Sequence, residues 1–175
     1  MKLRLCVVAC LAVASITIVS GQSTSPKPVA AAALQKLLPS VEGWTNTPIR
    51  ANQIVLSPEA TYTYASVTMT KDDWRAMVQL SDTAGSSDAL TALAMIVICP
   101  PDAFTADMPA QTIKRRTVGD VAIAEMWNAD QSSGEITAVV ANRFVVTVDS
   151  PHADSLRMLR DIFAKVDLAA VAALK

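Results

Sequence analysis

The stretch GEITAVVANRFVVTVDS, residues 134–150, decides the fold. A three-residue loop at Ala141-Asn142-Arg143 sets Val140 opposite Phe144, Ala138 opposite Val146 and Ile136 opposite Val148. Val139–Val145 and Thr137–Thr147 then fall together on the other face. Cross-strand pairs of this kind contribute about 0.2–1 kcal/mol each. A two-residue loop would set the faces of one strand against those of the other, which disfavours it. The second face is still apolar at Val139 and Val145, so the pattern predicts that something covers part of it.

Working outward, the same period of two recurs. ATYTYASVTMT alternates Thr61, Thr63, Ala65, Val67 and Met69 against Tyr62, Tyr64, Ser66 and Thr68. KDD makes a turn, and WRAMVQLSD returns with Trp74, Ala76, Val78 and Leu80 on one side. QTIKRRTVGDVAIAEMWN reads as a further hairpin turning at Gly119-Asp120, and QIVLS is a short extended run ahead of them all. VEGWTNTPIRANQ between is turn-rich, with Gly43 and Pro48 as breakers.

Helical signals fill the remainder. VAAAALQKLLPS predicts a short helix from Val29 to Leu38, closed by Pro39. Ser87 as N-cap, Asp88 in the first turn and the prolines at 100 and 101 predict a helix over Ser87 to Ile98; its β-branched second half, Met95 to Cys99, also fits a buried strand. Apart from Thr91 the stretch ALTALAMIVIC, residues 89–99, is apolar all around, which calls for burial on more than one side, with Cys99 as a small core residue. SPHADSLRMLRDIFAKVDLAAVAALK predicts a long C-terminal helix, Ser150 its N-cap and Pro151 its first residue, with Leu156, Leu159, Ile162, Phe163 and Val166 as the apolar stripe. Asp167 caps a last short helix. The fold expected is α+β: an antiparallel sheet of five to seven strands, covered by a long C-terminal helix and a shorter apolar mid-chain helix.

The N-terminal MKLRLCVVACLAVASITIVSGQSTS has a short basic start, an apolar run and small residues before Gln22, the layout of a cleaved export signal over residues 1–21. Two alternatives remain open: an uncleaved anchor through residues 1–20, though about 15 apolar residues fall short of the roughly 20 a spanning helix needs, and a lipoprotein lipidated at Cys10. Residues 22–28 are polar with two prolines and read as a flexible linker, leaving 29–175 as a single domain. Removing Lys2 and Arg4 with the leader takes the 15 basic side chains to 13 against 16 acidic ones, a net charge near −3 with His152 neutral. That leaves no broad positive field for nucleic acid. Cys99 would be the one remaining thiol, which points to a bacterial periplasm or cell surface rather than a disulfide-stapled domain.

The chemistry-bearing residues are few. With one histidine and one cysteine after residue 21, and no CxxC, HxxxH or HExxH, neither a metal site nor a cofactor is expected. GxSxG and glycine-rich phosphate loops are missing as well. Asp149, His152 and Asp154 cluster in DSPHAD; His152 with Asp149 is the catalytic candidate, against a simpler reading as a solvated helix N-terminus. Glu42, Glu59, Glu125 and Glu135 are scattered, with no spacing that selects a catalytic pair. Lys114-Arg115-Arg116, the one basic run, fits either an anionic partner or a charged strand edge that blocks edge-to-edge pairing. Trp74 belongs to a core face, whereas Trp44 and Trp127 stand where partial exposure is expected. These two and the helix Leu90 to Val97 (Leu90, Leu93, Ala94, Val97) form the candidate surface for a protein, lipid or small-molecule partner.

Phrases such as LLPSVEGW, VVANRFVVTVDS and KVDLAAVAALK resemble small exported bacterial proteins of unassigned function, over most of residues 34–175. The order of elements also resembles the Mog1/PsbP-like group. That resemblance implies antiparallel sheets flanked by helices, acting as binding or assembly modules, and it carries no catalytic residue. The function expected is therefore an exported, non-enzymatic binding domain. A hydrolase using His152 and Asp149, and an envelope-tethered spacer held by the N-terminal segment, are the alternatives.

Overall fold

The computed structural model describes residues 27–57, 60–100 and 111–174. The leader, Cys10, Glu59 and most of the 22–28 linker lie outside the described residues. Within them the chain is α+β, with one open antiparallel sheet. Helix α1 is Ala31–Gln35. The strands are β1 (Thr45–Asn46), β2 (Arg50–Ser57), β3 (Ala60–Lys71) and β4 (Trp74–Asp82), then β5 (Gln111–Val118), β6 (Val121–Asn128), β7 (Ser133–Val140) and β8 (Phe144–His152). Helices α2 (Ser87–Leu93) and α3 (Met95–Ile98) link the two sets; α4 (Leu156–Phe163) and α5 (Leu168–Ala172) follow β8.

The order across the sheet is β1-β3-β4-β8-β7-β6-β5, with β2 also paired to β3, so β1 and β2 lie end to end along one edge of β3. Two meanders meet at the β4–β8 seam. The 134–150 hairpin has the register its parity dictates: Val140↔Phe144, Ala138↔Val146, Ile136↔Val148, Val139↔Val145 and Thr137↔Thr147. Ala141 and Asn142 hold φ of 52° and 50°, left-handed values that the loop imposes. Gly134 is required by packing: a Cβ there would stand 2.7 Å from Trp127 and 2.9 Å from the Met126 carbonyl.

Alternation sorts the side chains onto two faces. The front face carries Ala65, Val67, Met69, Val78, Leu80, Ile136, Val146 and Val148, sealed by Leu34 of α1, by Leu159, Ile162 and Phe163 of α4, and by Val171 of α5. The back face carries a smaller cluster in which Val139 and Val145 meet Ala94, Leu90, Leu93 and Val97 of the α2–α3 pair. These are the two outward valines that called for a cover.

Polar anchors tie the layers. Asp82, wholly buried, accepts from Arg143 through both carboxylate oxygens at 2.8 Å and from the Val29 amide at 2.7 Å. This joins β4 of the first meander to the β7–β8 loop of the second. On the front face Arg160 of α4 donates to Glu125 of β6 at 2.6 Å, fixing the helix on the sheet.

Four expectations need correction. Among the described residues the sheet has eight strands, because Thr45–Asn46 makes two bridges and the run at QIVLS starts at Arg50. The long C-terminal helix is two short ones: Ser150 and Pro151 continue β8, the buried Ser150 hydroxyl donating to the carbonyls of Arg75 and His152, and α4 starts only at Leu156. Its stripe is buried as expected at Leu159, Ile162, Phe163 and Val166, and Asp167 does cap α5. The first helix is five residues, not Val29 to Leu38. The mid-chain helix breaks at Ala94, whose φ of −125° is not helical, and its N-cap is Ser86. This pair lies on the sheet as one layer, so Met95 and Ile98 are left about half exposed and Cys99 is only partly buried.

Candidate functional site

The back face differs along its width. Over β6, β7 and β8 it is closed by α2–α3; over β2, β3 and β4 it opens into a cleft of about 800 Å³. The parity of three strands builds the cleft. Tyr62, Tyr64, Ser66 and Thr68 come from β3, Arg75, Met77 and Gln79 from β4, and Arg50 and Ile54 from β2. The loop at Thr47, Pro48 and Ile49 walls one end. The Tyr62 and Tyr64 rings stand 6.4 Å apart at 44°, and burial, then Tyr64, raise the Tyr62 phenol above its ordinary pKa. Arg50 and Arg75 are exposed and make no salt bridge among the described residues.

Where the open and closed parts meet, register places Asp149 of β8 between Met77 of β4 and Glu135 of β7. Both carboxyl groups are largely buried. The Asp149 carboxyl is pushed up to about 6, first by burial and then by the charge of Glu135, with Arg75 opposing. Burial raises Glu135 too, against a hydrogen bond from the Thr137 hydroxyl. Two like charges this close resist joint ionisation, so one of them holds a proton well above the usual carboxylate range. Sequence spacing had no reason to pair them, yet the hairpin register did: two residues beyond Thr137–Thr147 lie Glu135 and Asp149.

The expected sites are separated by the fold. His152 faces Arg75 across the strands and stacks on Trp74 with ring centroids 5.0 Å apart; no hydrogen bond joins it to Asp149. Trp127 packs on the front face over Gly134, beside Leu159. Trp44 is also on the front side, lining a charged hollow with Trp74, Lys71, Asp154, Arg157 and Asp161. Leu90, Leu93, Ala94 and Val97 cover the back face. The tryptophans, on the front, and the helix, on the back, therefore share no surface. Lys114, Arg115 and Arg116 lie on β5, an edge strand, in keeping with the edge-charge reading.

Among the described residues no helix is long and apolar enough to cross a membrane, and no three His, Cys, Asp or Glu side chains group as metal ligands. Comparison of the chain with protein-family models, with curated proteins and with solved structures gave no significant match.

Proposed function

We propose that this chain is an exported, non-enzymatic binding module whose ligand lies in the open cleft on the back of β2, β3 and β4. The carrying observation is that one sheet face is closed by helices over half its width and left as an 800 Å³ cleft over the other half. That volume falls within the roughly 300–1,000 Å³ of small-molecule sites. The lining argues for a ring-bearing anion. Tyr62, Tyr64 and Met77 offer flat and polarizable surface, the hydroxyls of Ser66 and Thr68 offer orienting hydrogen bonds, and Arg50 and Arg75, in no salt bridge among the described residues, supply positive charge. Export rests on the layout of residues 1–21. The similarity of element order to the Mog1/PsbP-like group fits a binding or assembly role.

The test is calorimetric titration of the purified chain with a panel of aromatic carboxylates and sugar phosphates. The reading expects a saturable binder that loses tenfold or more affinity in Arg75→Glu and in Tyr64→Ala, with melting temperatures little changed. Binding indifferent to both changes, or none across the panel, contradicts it. Intact mass of the exported protein tests the leader.

A second reading has one observation behind it. Asp149, pushed up to about 6 by burial and by Glu135, stands beside Met77 of the cleft wall, a carboxyl that keeps its proton to higher pH than usual, as a general acid does. This moves the hydrolase alternative from Asp149 with His152 to Asp149 with Glu135. Turnover of any panel compound, abolished by Asp149→Asn and unaffected by His152→Ala, would establish it over simple binding.

A further inference from the structure

On the front face, β5 and β6 run past the end of α4 and the start of α5, and a cavity of about 680 Å³ opens between them. Its inner wall is Val121, Ile123, Phe163 and Leu168, buried or half-buried; its mouth is Lys114, Arg116 and Arg160. Four cations line the cavity against one carboxylate, Glu125; with Arg115 set aside, whose guanidinium is engaged elsewhere, the net charge is +2. Arg160 holds Glu125 at 2.6 Å, and Arg116 makes a second, longer ion pair with it at 3.5 Å. Lys114 has no ion pair among the described residues. Arg115 is engaged elsewhere, donating to the carbonyls of Ile96 and Cys99 on the other side of the sheet. Edge protection explains charge on β5. It does not explain why that charge surrounds an apolar hollow.

We propose that this cavity binds a single-chain amphiphile with an anionic head. The tail lies on Val121, Ile123, Phe163 and Leu168, where it leaves water. The head takes charge-assisted hydrogen bonds from Lys114 and Arg116. Arg116, half-exposed on its longer ion pair, can turn to it while Arg160 keeps donating to both oxygens of Glu125. The site is on the opposite side of the sheet from the cleft and stands independently of it.

The experiment is calorimetric titration of the full chain with monomeric dodecanoate. Uncharged dodecyl maltoside, acetate and vesicles of phosphatidylglycerol serve as comparison probes. One-to-one saturable binding of dodecanoate is expected, with acetate silent and the maltoside at least tenfold weaker. Two variants each weaken it tenfold or more: Lys114→Glu with Arg116→Glu, exposed on the edge strand, and Ala164→Trp, which fills the hollow from an exposed position. Tyr64→Ala, across the sheet, leaves it unchanged. The proposal is overturned if the maltoside binds as well as dodecanoate, or if neither variant weakens binding. It is also overturned if Tyr64→Ala abolishes binding, or if vesicles bind while the monomer does not, which would make this a membrane-facing surface instead.

Discussion

The closed and open halves of the back face are made from the same sheet and end differently because their outward residues differ. On β6, β7 and β8 the outward side chains include Ala122, Val139 and Val145, which water does not tolerate in a row, and α2–α3 shelters them with Ala94 at no exposure. On β3 and β4 the outward set is Tyr62, Tyr64, Ser66, Thr68, Arg75, Met77 and Gln79, amphipathic enough to stand in contact with solvent. Closure thus follows composition, and among the described residues the outward side chains of β3 and β4 stay uncovered.

The largest expected effect breaks the tie between the two meanders. Asp82→Ala strands Arg143 and the Val29 amide, and should cost about 3–5 kcal/mol in urea unfolding, since removing one partner of a buried pair leaves the other uncompensated. A smaller effect separates the halves themselves. Val145→Thr places a hydroxyl under α2–α3 and should cost about 1–3 kcal/mol. Ile54→Thr in the open cleft should stay within about 0.5 kcal/mol. Equal costs would mean that the cleft is closed in solution.

An effect comparable to that of Val145→Thr lies at the boundary between them and depends on pH. Asp149 binds its proton more tightly folded than unfolded, so its contribution is whole below about pH 3.8 and is lost as pH rises through about 6. Glu125, lowered chiefly by its hydrogen bond from Arg160 and opposed by burial, works the other way: its contribution is present above its ordinary 4.5 and lost as pH falls through the lowered folded value. Melting temperature should therefore peak near pH 4, where the loss from Asp149 begins to outweigh the gain from Glu125. Asp149→Asn should remove the decline above it, worth on the order of 1–3 kcal/mol, and leave the acid limb intact.

Three hairpins were legible because period-two alternation and turn residues are local. Val139 and Val145 even announced their cover. What was lost depended on distant partners. Ser150-Pro151 carries the same local signal as a helix start, and pairing with Gly134 on one side and Arg75 on the other keeps it in β8. β1 is two residues long, below any periodicity. Trp44, Trp127 and the mid-chain helix were grouped by exposure, but which face each occupies follows from strand order, which no single stretch encodes. The cleft escaped for the same reason: Arg50, Tyr64 and Arg75 are ordinary on their own strands and meet only through the pairing of β2, β3 and β4. The Asp149–Glu135 pair was within reach of the hairpin register and would have followed from extending it.

The most direct test of the account is an amide and methyl shift map recorded while the tightest anionic ring compound is titrated in. The account predicts saturable shifts at Tyr62, Tyr64 and Met77, with Ala94, Val139 and Val145 unmoved. Shifts centred on the α2–α3 half, with the β3–β4 face silent, would contradict it.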